Sequence, residues 1–204
     1  TGERLTGRRL AIDRSRPIVA HLSVLFGLDA FAGSFVVQSF LAYFLATRFD
    51  ADPAAVGVLF FVGMILSAFS FPVAGWLARR IGLINTMVFT HIPSSLCLIV
   101  AAFVPNLAIV LALLLVRAAL SQMDVPTRTS YVMAVVTPEE RPAAASVTAV
   151  PRTLTSAISP TIAGALLTTT AAGVPLVICG VLKIAYDVAL LYSFRHIKPP
   201  EERG

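Results

Sequence analysis

Charge is scarce in this sequence. Only 13% of its 204 residues are Asp, Glu, Lys or Arg, about half the ~25% of an ordinary soluble domain, while 57% are hydrophobic. Residues 54 to 78 hold no charged side chain, and neither do residues 81 to 116. Segments apolar on every face fit a lipid solvent rather than a soluble core, which needs only one apolar face per helix. Cysteine is nearly absent too. Cys97 and Cys179 both sit in apolar runs, with no CxxC spacing and no neighbouring His to complete a metal site. His21, His91 and His196 are scattered singly, and no HExxH, GxSxG or GxxxxGK[ST] occurs. Hydrolytic and phosphoryl chemistry therefore have no foothold, and neither a cofactor nor a metal is expected. Lysine occurs only at Lys183 and Lys198, a bias that fits an arginine- and alanine-rich bacterial source.

What is present is a series of apolar helices separated by turn chemistry. Residues 1 to 17 form a polar, arginine-rich segment read as a cytoplasmic linker. Six membrane-spanning helices are expected at roughly 18–47, 54–78, 83–104, 106–126, 142–170 and 174–195, and a short polar tail at 196–204. The breaks carry DADP at 50–53, RRIG at 79–82, VPN at 104–106, TPEERP at 137–142 and AAGVP at 171–175. The uncharged 81–116 run is itself expected to break near Pro93 and again at Pro105-Asn106.

The net charge of +5 flanks apolar runs instead of covering a soluble face, so it reports membrane topology rather than nucleic-acid binding. One side collects the linker arginines with Arg79, Arg80, Arg128, Arg141, Arg195, Lys198 and Arg203, and the other holds only Arg48 beside Asp50 and Asp52. The positive-inside rule then puts both ends in the cytoplasm of an integral membrane protein, and the arginine-rich composition makes a bacterial inner membrane its expected location.

GWLARRIG at 75–82 resembles the G-x-L-A-D-R-x-G-R signature of the major facilitator superfamily: Gly75, Leu77, Ala78, Arg80 and Gly82 match, while Arg79 stands at the acidic position and Leu83 at the last basic one. PEERPAAASV at 138–147 is similar to the family's basic loop into a fifth helix, and SPTIAG at 159–164 to its G-P-x-x-G-G pattern, with Ser159 and Ala163 in place of glycines. Arg117 falls where the fourth-helix R-x-x-Q-G signature has its arginine, with Leu120 and Ser121 replacing Gln and Gly. The resemblance implies an all-α membrane fold in which this chain is the C-terminal six-helix half, two inverted three-helix repeats, of a twelve-helix secondary transporter working by alternating access. Its implied partners are the lipid bilayer, the N-terminal half and a small solute, with protons as a possible coupling ion. No enzyme activity is implied.

Ionisable residues within a span are costly enough to be functional candidates. Counted from the nearest expected helix end at 1.5 Å per residue, Asp29, Arg117, Arg152 and Lys183 lie roughly 14 to 18 Å deep and so share one layer. Lys183 and Asp187 are four apart, hence on one helix face, with Gly180 extending that face as a notch. They are read as a structural pair, since the resemblance puts the sixth helix outside the cavity. Asp29 and Arg117 belong to the first and fourth helices, which the resemblance implies line the cavity. Asp29 is the expected proton-exchange or substrate residue, with Arg117 setting its ionisation. Gln38 is a further pathway candidate, on Asp29's opposite face unless the helix bends at Gly33. Arg152, on the interface helix, is read as awaiting an acidic partner in the other half. Asp124, Pro126 and Arg128 are read as gate residues at the cytoplasmic end of helix four. A complete six-helix channel or homo-oligomeric carrier has the same hydropathy and stays open as the alternative.

Overall fold

The computed structural model describes residues 12, 14–169 and 172–195, without the side chains of 168 and 169. Arg4, Arg8 and Arg9 of the linker, residue 170, residue 171 of the AAGVP turn, and the whole tail with Lys198 and Arg203 lie outside the described residues. Eight α-helices occur among them: α1 (Arg16–Ser34), α2 (Gln38–Phe49), α3 (Pro53–Ile81), α4 (Leu83–Phe103), α5 (Leu107–Ser121), α6 (Asp124–Val135), α7 (Arg141–Thr169) and α8 (Val174–Phe194).

Local chemistry sets most of these ends. Asp52 caps α3 by accepting from the Ala54 N–H at 3.1 Å, with Pro53 as first helical residue. Asn106 caps α5 in the same way, accepting from Ile109 N–H at 3.2 Å. One residue, Gly82, separates α3 from α4, and its φ of 88° is open to glycine far more readily than to residues with a Cβ.

Two expected helices are broken. The first divides into α1 and α2 just after Gly33, and the fourth into α5 and α6. The second break has a plain cause, because Pro126 lacks the N–H that would bond the Gln122 carbonyl in a continuous helix. The helix expected at 106–126 thereby continues through α6 to Val135. Pro93, by contrast, does not end a helix; α4 runs through it unbroken.

By length and composition five stretches among the described residues can cross a membrane: Arg16–Phe49, Pro53–Ile81, Leu83–Phe103, Leu107–Val135 and Val174–Phe194. The remaining long helix, α7, has 29 residues but is rich in Ser, Thr and Pro, and it lies along α1 in the most extensive helix contact of the chain. Small residues make that contact close. The Thr155 hydroxyl donates to the Gly27 carbonyl at 3.0 Å and the Ser159 hydroxyl to that of Phe31, while a Cβ on Gly27 would sit 3.3 Å from Pro151 Cβ.

α8 packs chiefly against α4, and Gly180 provides the expected notch, fitted against Ile99 and the Ser95 carbonyl. Two apolar clusters result. One gathers Phe35, Phe44, Leu98, Leu176 and Cys179; the other gathers Leu22, Phe26, Met87, Tyr131, Tyr186 and Phe194. Asp29 on α1, Thr90, His91, Ser94 and Ser95 on α4 and Lys183 on α8 fall between them along their helices.

Candidate functional site

Asp29 on α1 is the hub of that polar layer. Its Oδ1 accepts from Lys183 Nζ on α8 at 2.7 Å and its Oδ2 from Arg128 Nη2 on α6 at 2.7 Å. Arg128 also reaches Asp124, one turn earlier on its own helix, and its guanidinium lies over the Phe26 ring, 5.1 Å from the centroid. Lys183 Nζ stands 3.1 Å from His91 Nε2 on α4. The other ring nitrogen of His91 faces the Asp187 carboxylate, 2.9 and 3.0 Å from its two oxygens. An ammonium can only donate, so Nε2 is the acceptor and Nδ1 carries the hydrogen given to Asp187. His91 and Asp187 are 2% and 0% exposed, and the Tyr186 ring stands perpendicular to the imidazole with centroids 6.1 Å apart. Four helices distant in sequence are thus tied by one continuous chain of charge-assisted bonds.

Several expectations change here. Lys183 and Asp187 share a helix face but do not pair directly, because His91 from α4 inserts between them and Asp29 takes the ammonium. Asp29 is matched with Arg128 and Lys183 rather than with Arg117. Asp124 and Arg128 are not at a loop: both are buried in the layer, on a helix that continues beyond them, with Pro126 in the first turn. Arg128 accordingly leaves the tally of cytoplasmic positive charges. Arg152 is not a buried charge within this chain; its side chain is exposed on α7 and has no ion pair among the described residues. His91 had no local signal beyond its place in a polar stripe with Thr86, Thr90, Ser94 and Ser95, all buried on α4.

Beside the layer opens a cavity of about 1000 Å³ whose polar walls include Gln38, Arg117, Gln122 and Lys183, with Ser67 and Ser121. The helix breaks between α1 and α2 just after Gly33, and Gln38 and Gly33 both line this wall. Asp29 does not line the cavity and reaches it only through Lys183. Arg117 has no ion pair among the described residues. Gly75 lies near the end of α3, Arg79 and Arg80 are exposed in its last turn, and Arg80 stacks on Trp76 at 4.8 Å. Among the described residues no three His, Cys, Asp or Glu side chains are placed to hold a metal ion.

The family model described as Major Facilitator Superfamily matches residues 23–204, nearly the whole chain. The chain belongs to the major facilitator superfamily. Members are membrane transporters rather than enzymes, and the apolar helices with a polar cavity suit that class. The chain is also similar to an uncharacterized membrane protein of Saccharomyces cerevisiae, 24% identical over 178 residues, covering 87% of this chain and 40% of the relative. It therefore spans about 40% of the length of the curated relative it matches. No solved structure matches the chain.

Proposed function

We propose that this chain is the C-terminal six-helix half of a twelve-helix secondary transporter, built as two inverted three-helix repeats, that moves a small solute by alternating access. The observation that carries the reading is the cavity of about 1000 Å³ set against a buried ion network. In this reading Gln38 and Arg117 face the solute, Asp29 acts on the pathway through Lys183, and Arg152 meets an acidic side chain of the other half. The Asp124–Arg128 pair beside Pro126 is where the Leu107–Val135 stretch can flex, and the last turns of α3 from Gly75 onward, with the Gly82 turn into α4, face the cytoplasm. The bilayer and the N-terminal half are the partners.

A cysteine at Ser67, in the cavity wall, tests the reading against a channel. In liposomes holding the full-length protein, the S67C thiol should react with a membrane-impermeant maleimide while the vesicles keep an ion gradient. Steady ionic conductance through the protein would instead favour a channel. Both ends are proposed to be cytoplasmic, so reporter fusions at Gly204 and in the Asp50–Asp52 loop should report opposite sides of the membrane; a periplasmic Gly204 would reverse the topology.

A further inference from the structure

The bonded layer contains three carboxylates, Asp29, Asp124 and Asp187, against two permanent cations, Arg128 and Lys183. With His91 neutral it is one positive charge short, in an environment where an uncompensated charge is costly. Where a proton would enter follows from the bonding. Each oxygen of Asp29 already holds a cation at 2.7 Å, so protonating it means displacing one of them. Asp124 is held by Arg128 on its own helix. The basic lone pair of the layer is His91 Nε2, and its anionic partner Asp187 lies on the far side of the same ring with no permanent cation bonded to it.

We propose that the His91–Asp187 pair is a proton-binding site of this transporter half, and that proton uptake at His91 Nε2 turns the Lys183 ammonium away from Asp29 toward the cavity. The proton comes from the aqueous phase and forms an N–H bond at Nε2; Nδ1–H stays on Asp187, whose charge then balances the imidazolium. Once Nε2 carries hydrogen, two donors face each other at the 3.1 Å His91–Lys183 separation, which is repulsive. A carboxylate acceptor for the new N–H is Asp29 Oδ1, 3.9 Å away, the oxygen that Lys183 occupies. Lys183 has somewhere to go, since it already lines the cavity and lies against Gly33, where no side chain blocks it.

The groups around the imidazole are accounted for from each packed helix. From α8 come Lys183, Asp187 and Tyr186, whose buried hydroxyl has no partner among the described residues. From α1 comes Asp29, and from α6 come Arg128 and Asp124, bonded to Asp29 and to each other. From α5 comes Arg117, which touches α4 through its backbone carbonyl, approached by Ser94 Oγ at 3.5 Å, while its side chain lines the cavity. The contiguous α3 contributes no charged residue before Arg79. Arg152, exposed on α7, is outside the bonded layer.

This inference deepens the transport reading, but the experiment reads proton binding without transport, so either can fail alone. The full-length protein, 15N-labelled at histidine and held in lipid nanodiscs, is titrated over about pH 4 to 9, the range that brackets histidine ionisation. The His91 signals are assigned by their loss in His91→Gln. Wild type should pass from the neutral Nδ1–H form to the imidazolium in one step. Asp187→Asn balances the layer, two carboxylates against two cations, and should lower the proton affinity of His91 by about tenfold or more, one pH unit. A wild-type His91 that keeps one protonation state throughout, or an Asp187→Asn protein that titrates as wild type does, overturns the proposal.

The movement of Lys183 has its own readout at Ser39, which lines the same cavity. With a cysteine there and other reactive thiols removed, the ratio of labelling rates for anionic over cationic methanethiosulfonate reagents should rise severalfold on acidification. That rise should vanish in His91→Gln. A ratio independent of pH in the otherwise wild-type protein would refute the turning of Lys183.

Discussion

Asp29→Leu is expected to destabilise the protein by about 3–5 kcal/mol, because it takes the shared carboxylate from the buried Arg128 and the partly buried Lys183. Thermal or denaturant unfolding in detergent measures this. Adding Lys183→Met should recover much of the loss, since the remaining Arg128–Asp124 and His91–Asp187 contacts are then self-contained. The coupling between positions 29 and 183 should exceed that between 183 and 187, whose groups communicate only through His91. Equal couplings, or a larger one within α8, would restore the local i,i+4 pairing and remove Asp29 from the centre of the layer.

Gly180→Val should be the most damaging change made to a glycine. A Cβ there would meet Ile99, with Cδ1 and the Ser95 carbonyl each at 2.9 Å, and backbone cannot give way cheaply. Overpacking of this kind costs about 1–3 kcal/mol or more. The effect should spread beyond packing, because the strained α4–α8 contact is the one that holds His91 against Asp187 and Lys183. Gly33→Ala is the control. Its Cβ would lie 3.5 Å from Lys183 Cε and Nζ, ordinary contact with a flexible side chain, so its stability should stay near wild type. Equal losses at the two positions would show that the notch at Gly180 does not set the helix separation.

The helices were largely legible because membrane solvation writes itself into composition: uncharged runs, capping Asp52 and Asn106, and Gly82 at a turn all act within a few residues. The small-residue stretch around Ser159 was legible for the same reason, as its hydroxyl and neighbouring small side chains state their purpose locally. The ion layer was not. Its bonds between helices join residues 92 to 154 positions apart, and nothing local ranks Arg128 above Arg117 as the partner of Asp29. Helical spacing correctly put Lys183 and Asp187 on one face but could not reveal the imidazole inserted from another helix. Arg128 was assigned to a loop because a span of ordinary length ends before it, whereas the Leu107–Val135 stretch continues through the break at Pro126.

The position of the layer between two apolar clusters bears on how the helices find their axial register. Against lipid, leucine and valine faces offer little preference for one vertical alignment, and a slide of one turn, about 5.4 Å, exchanges one greasy contact for another. The bonds among Asp29, His91, Arg128, Lys183 and Asp187 exist in only one alignment of α1, α4, α6 and α8. They act as a vernier on an otherwise featureless scale, so that a bundle with all of them replaced by apolar isosteres would keep its helices and lose its single setting.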